Sequence, residues 1–339
     1  YFENASVIEA HDYDNDGDLD VFVGNDIVSN DFGAMPNSYI LKNNKGNFSI
    51  LENQPFQNIG MITDAIWEDY DSDGFVDLIL VGEWMTPKFF KNRKGNFVEE
   101  NLINSKLTGL WQQIAPFDID KDGDVDFLLG NWGKNSKFEA SQEHPLRMYY
   151  SDFDENGSTE TILCNFKNGA YYPLLGLDEL ASQIVSLRKK FTNYKSFAGK
   201  SINAIFEKSV LKKARIFEVN TLASGFLKNE NNTFTFVPFK NELQVSPISA
   251  FLEYDFNANG VNEVLVAGNY FGVSPYHGRF DSFPGALIVN EDKIILGNKI
   301  GLNFSQKAVK KLNIIKVQNK SYVLATINND SAQVYQLIK

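Results

Sequence analysis

Cys164 is the only cysteine in 339 residues, so an internal disulfide is impossible and a thiolate zinc site is excluded. A chain of this length buries enough core to fold without disulfides, so the scarcity of cysteine does not fix the compartment. Basic charge is also short. Lys and Arg total 32 against 43 Asp and Glu, a formal net charge of −11, which argues against a nucleic-acid or anionic-membrane surface. The three histidines, His11, His144 and His277, have no metal-binding spacing. No apolar run is long enough for a transmembrane helix, and neither a glycine-rich phosphate loop nor a nucleophile–base motif stands out. The chain opens inside a repeat at Tyr1-Phe2-Glu3, so it reads as a fragment, with any leader expected upstream.

What is present is acid in clusters. A nine-residue pattern recurs as DYDNDGDLD from Asp12, DYDSDGFVD from Asp69, DIDKDGDVD from Asp118, DFDENGSTE from Asp152 and DFNANGVNE from Asp255. The first three copies start 57 and 49 residues apart, a period that accommodates the four short strands of a propeller blade. An apolar segment leads into each of the clearest loops, as in Ala65-Ile66-Trp67, and a β-rich run leaves it, as in Leu78-Ile79-Leu80-Val81. A Gly-plus-polar turn follows, then a strand ending in Asn, a tight turn and Phe. Tyr39–Asn43 with Phe48, Phe89–Asn92 with Phe97, and Phe226–Asn229 with Phe234 read as hairpins, the last without an Asp loop of its own.

One stretch breaks the β pattern. Over 177–213, Leu180, Ile184, Leu187 and Phe191 fall at helical spacing, with Asp178 placed to cap a first helix and a second expected over 194–206. The tail over 308–339 carries three β-like runs and no Asp loop. The expected fold is all-β: one β-propeller domain of about six to seven four-stranded blades over 1–339, with a helical insertion between blades at 177–213.

The spacing carries the chemistry. Oxygens at positions one, three and five of a tight loop converge on a point, and Gly at position six permits the turn. Position seven varies (Asp18, Phe75, Asp124, Ser158, Val261), which fits a backbone carbonyl ligand. An EF-hand would place Glu at position twelve, but here that position is apolar (Val23, Leu80, Leu129, Leu163, Val266) and the closing carboxylate stands at position nine. The candidate ligands are therefore Asp12, Asp14, Asp16, Asp18 and Asp20; Asp69, Asp71, Asp73, Phe75 and Asp77; Asp118, Asp120, Asp122, Asp124 and Asp126; Asp152, Asp154, Asn156, Ser158 and Glu160; and Asp255, Asn257, Asn259, Val261 and Glu263. All are hard oxygen donors, suited to Ca2+. Three to five calcium ions are expected, the Asp255 loop being weakest because Asn257 and Asn259 are neutral.

These loops and the Gly-Asn turns after them resemble the FG-GAP or VCBS repeats of the integrin α-subunit propeller. Asn269-Tyr270-Phe271-Gly272 and Phe283-Pro284-Gly285-Ala286 look like the elements that name the repeat. Thr63–Tyr70, Gly82-Glu83-Trp84-Met85 and Gly130–Ser136 are similar to bacterial VCBS-repeat proteins related to cartilage acidic protein. The resemblance implies a calcium-stabilised propeller on a secreted or cell-surface, outer-membrane-associated protein that serves adhesion or ligand binding.

A strand separates each Asp loop from its Gly-polar turn, so loops and turns should lie on opposite faces. The turn face gathers Asp26, Glu83, Trp84, Asn131, Trp132, Asn269, Tyr270 and Phe271, and is expected to receive a protein or glycan ligand. The leading reading is a binding or assembly module, not an enzyme. The alternative is a carbohydrate-active lyase or hydrolase on a propeller, using Tyr276, His277 and Arg279.

Overall fold

A computed structural model describes residues 3–273, 278–318 and 320–337. The described chain is β-rich. Its sheets are small and antiparallel, and none closes on itself. The first sheet holds Glu3–His11, Asp20–Val28, Tyr39–Asn44 and Asn47–Ile50, in chain order. The second holds Met61–Glu68, Asp77–Met85, Lys88–Arg93 and Asn96–Glu100, with Gly109–Leu110 added against Asp77–Met85. The fourth holds Ile248–Tyr254, Glu263–Gly268, Ala286–Ile288 and Ile294–Leu296; the fifth holds Val309–Val317, Lys320–Ile327 and Gln333–Gln336.

The third sheet is discontinuous in sequence. Gln113–Pro116 and Phe127–Gly130 are completed by Gly225–Asn229 and Phe234–Pro238. The hairpin expected to lack an Asp loop is thus the second half of the Asp118 unit. Residues 131–224 form an insertion with a sheet of its own, made of Leu146–Ser151, Glu160–Lys167, Ala170–Pro173 and Arg215–Val219. The helical stretch lies inside it, running from Leu177–Gln183 through Lys208–Lys213 in short pieces. The expected insertion between units is therefore corrected: it is larger, it splits one unit, and the Asp152 loop belongs to it. Asp178 sits in the first turn of its helix, and Gly176 is the N-cap. The helix expected over 194–206 is two short ones, Tyr194–Phe197 and Ile202–Ile205, the first ending at its C-cap Ala198 and the second starting from extended Ser201.

The central strands are continuous apolar runs whose successive side chains point to opposite faces, so each central sheet has two faces to bury. Val7, Phe22 and Ile40 of the first sheet pack on Leu78, Leu80 and Phe90 of the second. Ile79, Val81 and Phe89 on its other face meet Ile114, Phe127 and Leu129 of the third. Leu128 and Phe226 then meet Ile248, Val264 and Val266, and Leu265 and Ala267 meet Leu312, Val323 and Ala325 of the fifth sheet. The first strands of the five numbered sheets, or the residues leading into them, line one cavity of about 560 Å3, through Ser6, Thr63, Gln113, Ser249 and Lys310 among others. Four of these strands carry a register shift, centred on Ser6, Thr63, Ser249 and Lys310. A bulge re-aims a side chain, and the three hydroxyls among these residues bond the next sheet's backbone: Ser6 to Ile62 O, Thr63 to Trp111 O at 2.8 Å and Ser249 to Val309 O at 2.6 Å. Asp64, buried beside Thr63, accepts from Gln113 Nε2 and Ile114 N, tying the second sheet to the third.

The first sheet's other face is not covered in this way. Phe48 stands in the hairpin place of Phe97, yet Phe48 is 53% exposed and Phe97 only 5%.

Candidate metal centre

Each Asp pattern forms the tight link between two antiparallel strands or their extensions, and the five links share one backbone design. Position one accepts the N–H groups of positions five and six: Asp12 from Asp16 and Gly17, Asp69 from Asp73 and Gly74, Asp118 from Asp122 and Gly123, Asp152 from Asn156 and Gly157, and Asp255 from Asn259 and Gly260. The glycine lies at φ between 85° and 98° in all five, the region that favours a residue without Cβ. Position five in turn accepts the N–H of position seven, which fixes the backbone at the residue expected to offer its carbonyl.

Four loops bring three carboxylates within 4.8 Å of one another: Asp12, Asp14 and Asp20; Asp69, Asp71 and Asp77; Asp118, Asp120 and Asp122; Asp152, Asp154 and Glu160. Inside three of these groups lie buried oxygens without a hydrogen-bond partner, namely Asp14 Oδ1, Asp20 Oδ2, Asp71 Oδ1, Asp77 Oδ2 and Asp154 Oδ1; in the Asp118 loop Asp120 Oδ1 accepts Asp122 N at 3.3 Å instead. Asp20 and Asp77 are 0% exposed. Buried carboxylate oxygens left unpaired are costly unless a cation meets them. Burial accordingly pushes the carboxyl of Asp77 up to about 7 and that of Asp126 to about 6, and also raises those of Asp20 and Glu160. A dication would reverse that logic, and the oxygen-only donor set fits calcium.

The Asp255 loop repeats the backbone but not the charge. Asn257 donates its side-chain N–H to Glu263, and Glu263 also accepts from Phe256 N at 3.1 Å. A donor thus occupies the position-three place where the Asp12, Asp69 and Asp152 loops hold an unpaired oxygen, and no three-carboxylate group forms there among the described residues.

Two partners of these loops escape a reading confined to the Asp pattern. Asn43, Asn92 and Asn229 each donate their backbone N–H to the position-nine carboxylate (Asp20, Asp77, Asp126) at 2.7 Å and their side-chain amide to the carbonyl before it. The residue before each is a lysine. Lys42 bonds Asp14, Lys91 bonds Asp71, and Lys228 bonds Asp120 at 2.6 Å. The sequence signal was the Lys-Asn pair repeated at the same place in three hairpins.

The opposite face departs from expectation. Trp84 and Trp132 are 6% and 8% exposed, packed with Leu146, Met148, Phe217 and Val219 of the inserted sheet. Asn131 is buried and donates to Thr221 O and Ala223 O, and Asn269 is buried and donates to the carbonyls of Phe283, Phe304 and Lys307. These four residues are core and loop ties, not ligand contacts, because the insertion rises from this face and covers it. Glu83 accepts from Gln112 at 2.9 Å, and burial raises its carboxyl. Tyr270 is half-buried against Trp132 with Lys310 over its ring, and Arg279 stacks on half-buried Phe271 at 3.8 Å. Tyr276 and His277 lie outside the described residues.

Comparison with known proteins agrees with the loop geometry. The description "FG-GAP-like repeat" matches residues 12–80 and 69–129. No curated protein matches the chain. Among solved structures, the V. cholerae biofilm matrix protein Bap1 aligns at 12% identity and a TM-score of 0.36, covering 99% of this chain and 69% of that one. Likeness at that level carries no argument. The matched segments take in the Asp12, Asp69 and Asp118 loops with their exit strands: residues 12–129 carry FG-GAP-like repeats.

Proposed function

We propose that the chain is a calcium-stabilised propeller segment that serves as a binding or assembly module outside the cytoplasm. The observation that carries the reading is the set of unpaired, buried carboxylate oxygens converging inside strand–loop–strand links, twice with the same pair of positions (Asp14 with Asp20, Asp71 with Asp77). Four calcium ions are assigned, at the Asp12, Asp69, Asp118 and Asp152 loops; the Asp255 loop is left without one. Five sheets packed face to face in series, with their leading strands around one cavity, support the propeller reading. Calcium at these loops suits a millimolar-calcium, extracellular setting, and a rigid scaffold of this kind presents loops for a protein or glycan partner. No helix of the described residues is long and apolar enough to cross a membrane.

The test is calorimetric titration of chelator-treated protein with calcium. The expected result is binding at close to four sites together with a large rise in melting temperature. Absence of binding, or identical melting with and without chelator, overturns the reading.

A further inference from the structure

We infer that Lys42, Lys91 and Lys228 are built-in counter-cations that share the position-three carboxylate with the metal and set the affinity of their loops; the inference rests on the calcium reading above. The three lysines hold equivalent places. Val21 pairs with Leu41, Leu78 with Phe90, and Phe127 with Leu227, and the next residue in each case is the lysine.

The division of oxygens matters. In Asp14 and Asp71, Oδ2 meets the lysine while Oδ1 is buried and unpaired. At these two loops the ammonium therefore takes the outer oxygen and leaves the inner one to the metal, so it draws charge from the carboxylate without blocking the centre; Lys228 likewise meets Asp120 Oδ2, while Oδ1 there accepts Asp122 N at 3.3 Å. Lys91 also reaches Asp73 at 2.6 Å, and Lys42 reaches Asp16 at 3.5 Å, so the same ammonium touches position five. Its side chain is only 12% exposed at Lys91, where water screens least.

The lysine follows the charge of its loop. The three loops that have it carry four carboxylates at positions one, three, five and nine, so one ammonium leaves a net of three negative charges. The Asp152 loop has Asn156 at position five, hence three carboxylates. No lysine stands at the matching place, since the third strand, Ala170–Pro173, pairs with the far end of Glu160–Lys167. In the Asp255 loop, with only Asp255 and Glu263 charged at those positions, the residue after Ile288 is Val289. Counted over positions one, three, five and nine, with the position-seven side chains Asp18 and Asp124 left out, the four loops assigned calcium therefore offer the metal the same net charge, and the lysine equalises them. Groups behind the ligands commonly tune a metal site in this way, and calcium affinity follows ligand charge.

The test compares wild type with K91M, which keeps the apolar stem, and K91R, which keeps the charge. Calcium affinity is measured by competition with a chromophoric chelator. In K91M one site is expected to tighten by on the order of ten-fold, while the metal-free protein melts at a lower temperature; K91R retains wild-type affinity. For protein that does not fold without metal, K91M is kept in calcium and its release rate to excess chelator is followed, with one phase expected to slow by a similar factor. An unchanged or weakened site in K91M overturns the lysine's role, since a merely structural lysine could only weaken the loop when removed. Wild type that binds no calcium overturns the metal reading itself, and this inference with it.

Discussion

The Asp69 and Asp255 loops have the same backbone and different interiors. In both, the first Asp receives two N–H groups, position four lies at φ 58°, and the glycine at position six turns the chain. In one, Asp71 and Asp77 point unpaired oxygens at a common centre beside Lys91; in the other, Asn257 closes onto Glu263. The comparison separates two roles that the Asp pattern combines. Position one and the glycine make the turn, and they survive without metal. Positions three, five and nine make the charge, and they are where the loops diverge.

The largest test of that separation is removal of calcium. Each site occupied at a hundred-fold excess over Kd adds about 2.7 kcal/mol to the folded state, so chelation should lower the melting temperature of the whole protein sharply, as read by circular dichroism. Next, Asp71→Ala in saturating calcium is expected to cost about 3 kcal/mol through loss of one site, read from urea unfolding, whereas Asn257→Ala should cost under about 1 kcal/mol because it breaks only a local hydrogen bond. Equal losses would collapse the distinction between the loops.

Acidity offers a third test, with a sign that reverses on metal binding. Without calcium, the folded-state values of Asp77 and Asp126 stand near 7 and 6, above their ordinary value of 3.8. Folding then takes up protons, so the stability these groups contribute is full below about pH 4 and is lost as pH rises toward 7. Metal-free protein should therefore melt higher at pH 5 than at pH 8. With calcium, the ligands must be deprotonated and the order should invert; melting curves at the two pH values, with and without chelator, decide it. The smallest effect expected is a gain. Asn257→Asp restores a third carboxylate beside Asp255 and Glu263, and should add one weak calcium site, detectable as an extra binding event in calorimetry.

The loops were legible in the sequence because their geometry is local: ligands at alternate positions, a glycine and a following strand all fall within a dozen residues. The hairpins of the first two sheets were legible for the same reason. What was not legible depends on distant contacts. Nothing near Gly130 announces that Phe127–Gly130 will pair with Gly225–Asn229. The hairpin at Phe226 therefore read as a separate unit, and the insertion shrank to its helical part. The misreading of Trp84 and Trp132 follows from that one. On a bare turn face both would be exposed, and it is Leu146, Met148 and Phe217 of the insertion that bury them. The lysines were visible as letters, but their meaning needed the register that sets Lys91 over Asp71.

The split third sheet also sets an order of events in time. Its two halves are separated by residues 131–224, and closing a segment of that length costs about 4 kcal/mol of chain entropy before any strand pairing repays it. The base of the insertion is fastened by Gly133 N to Leu222 O at 2.7 Å and by Asn131 to the carbonyls of Thr221 and Ala223. Once the inserted sheet has collapsed on its helices, those bonds hold the ends together and the closure is already made. The insertion is then expected to fold early, and completion of the third sheet to be the slow step that joins the first two sheets to the last two.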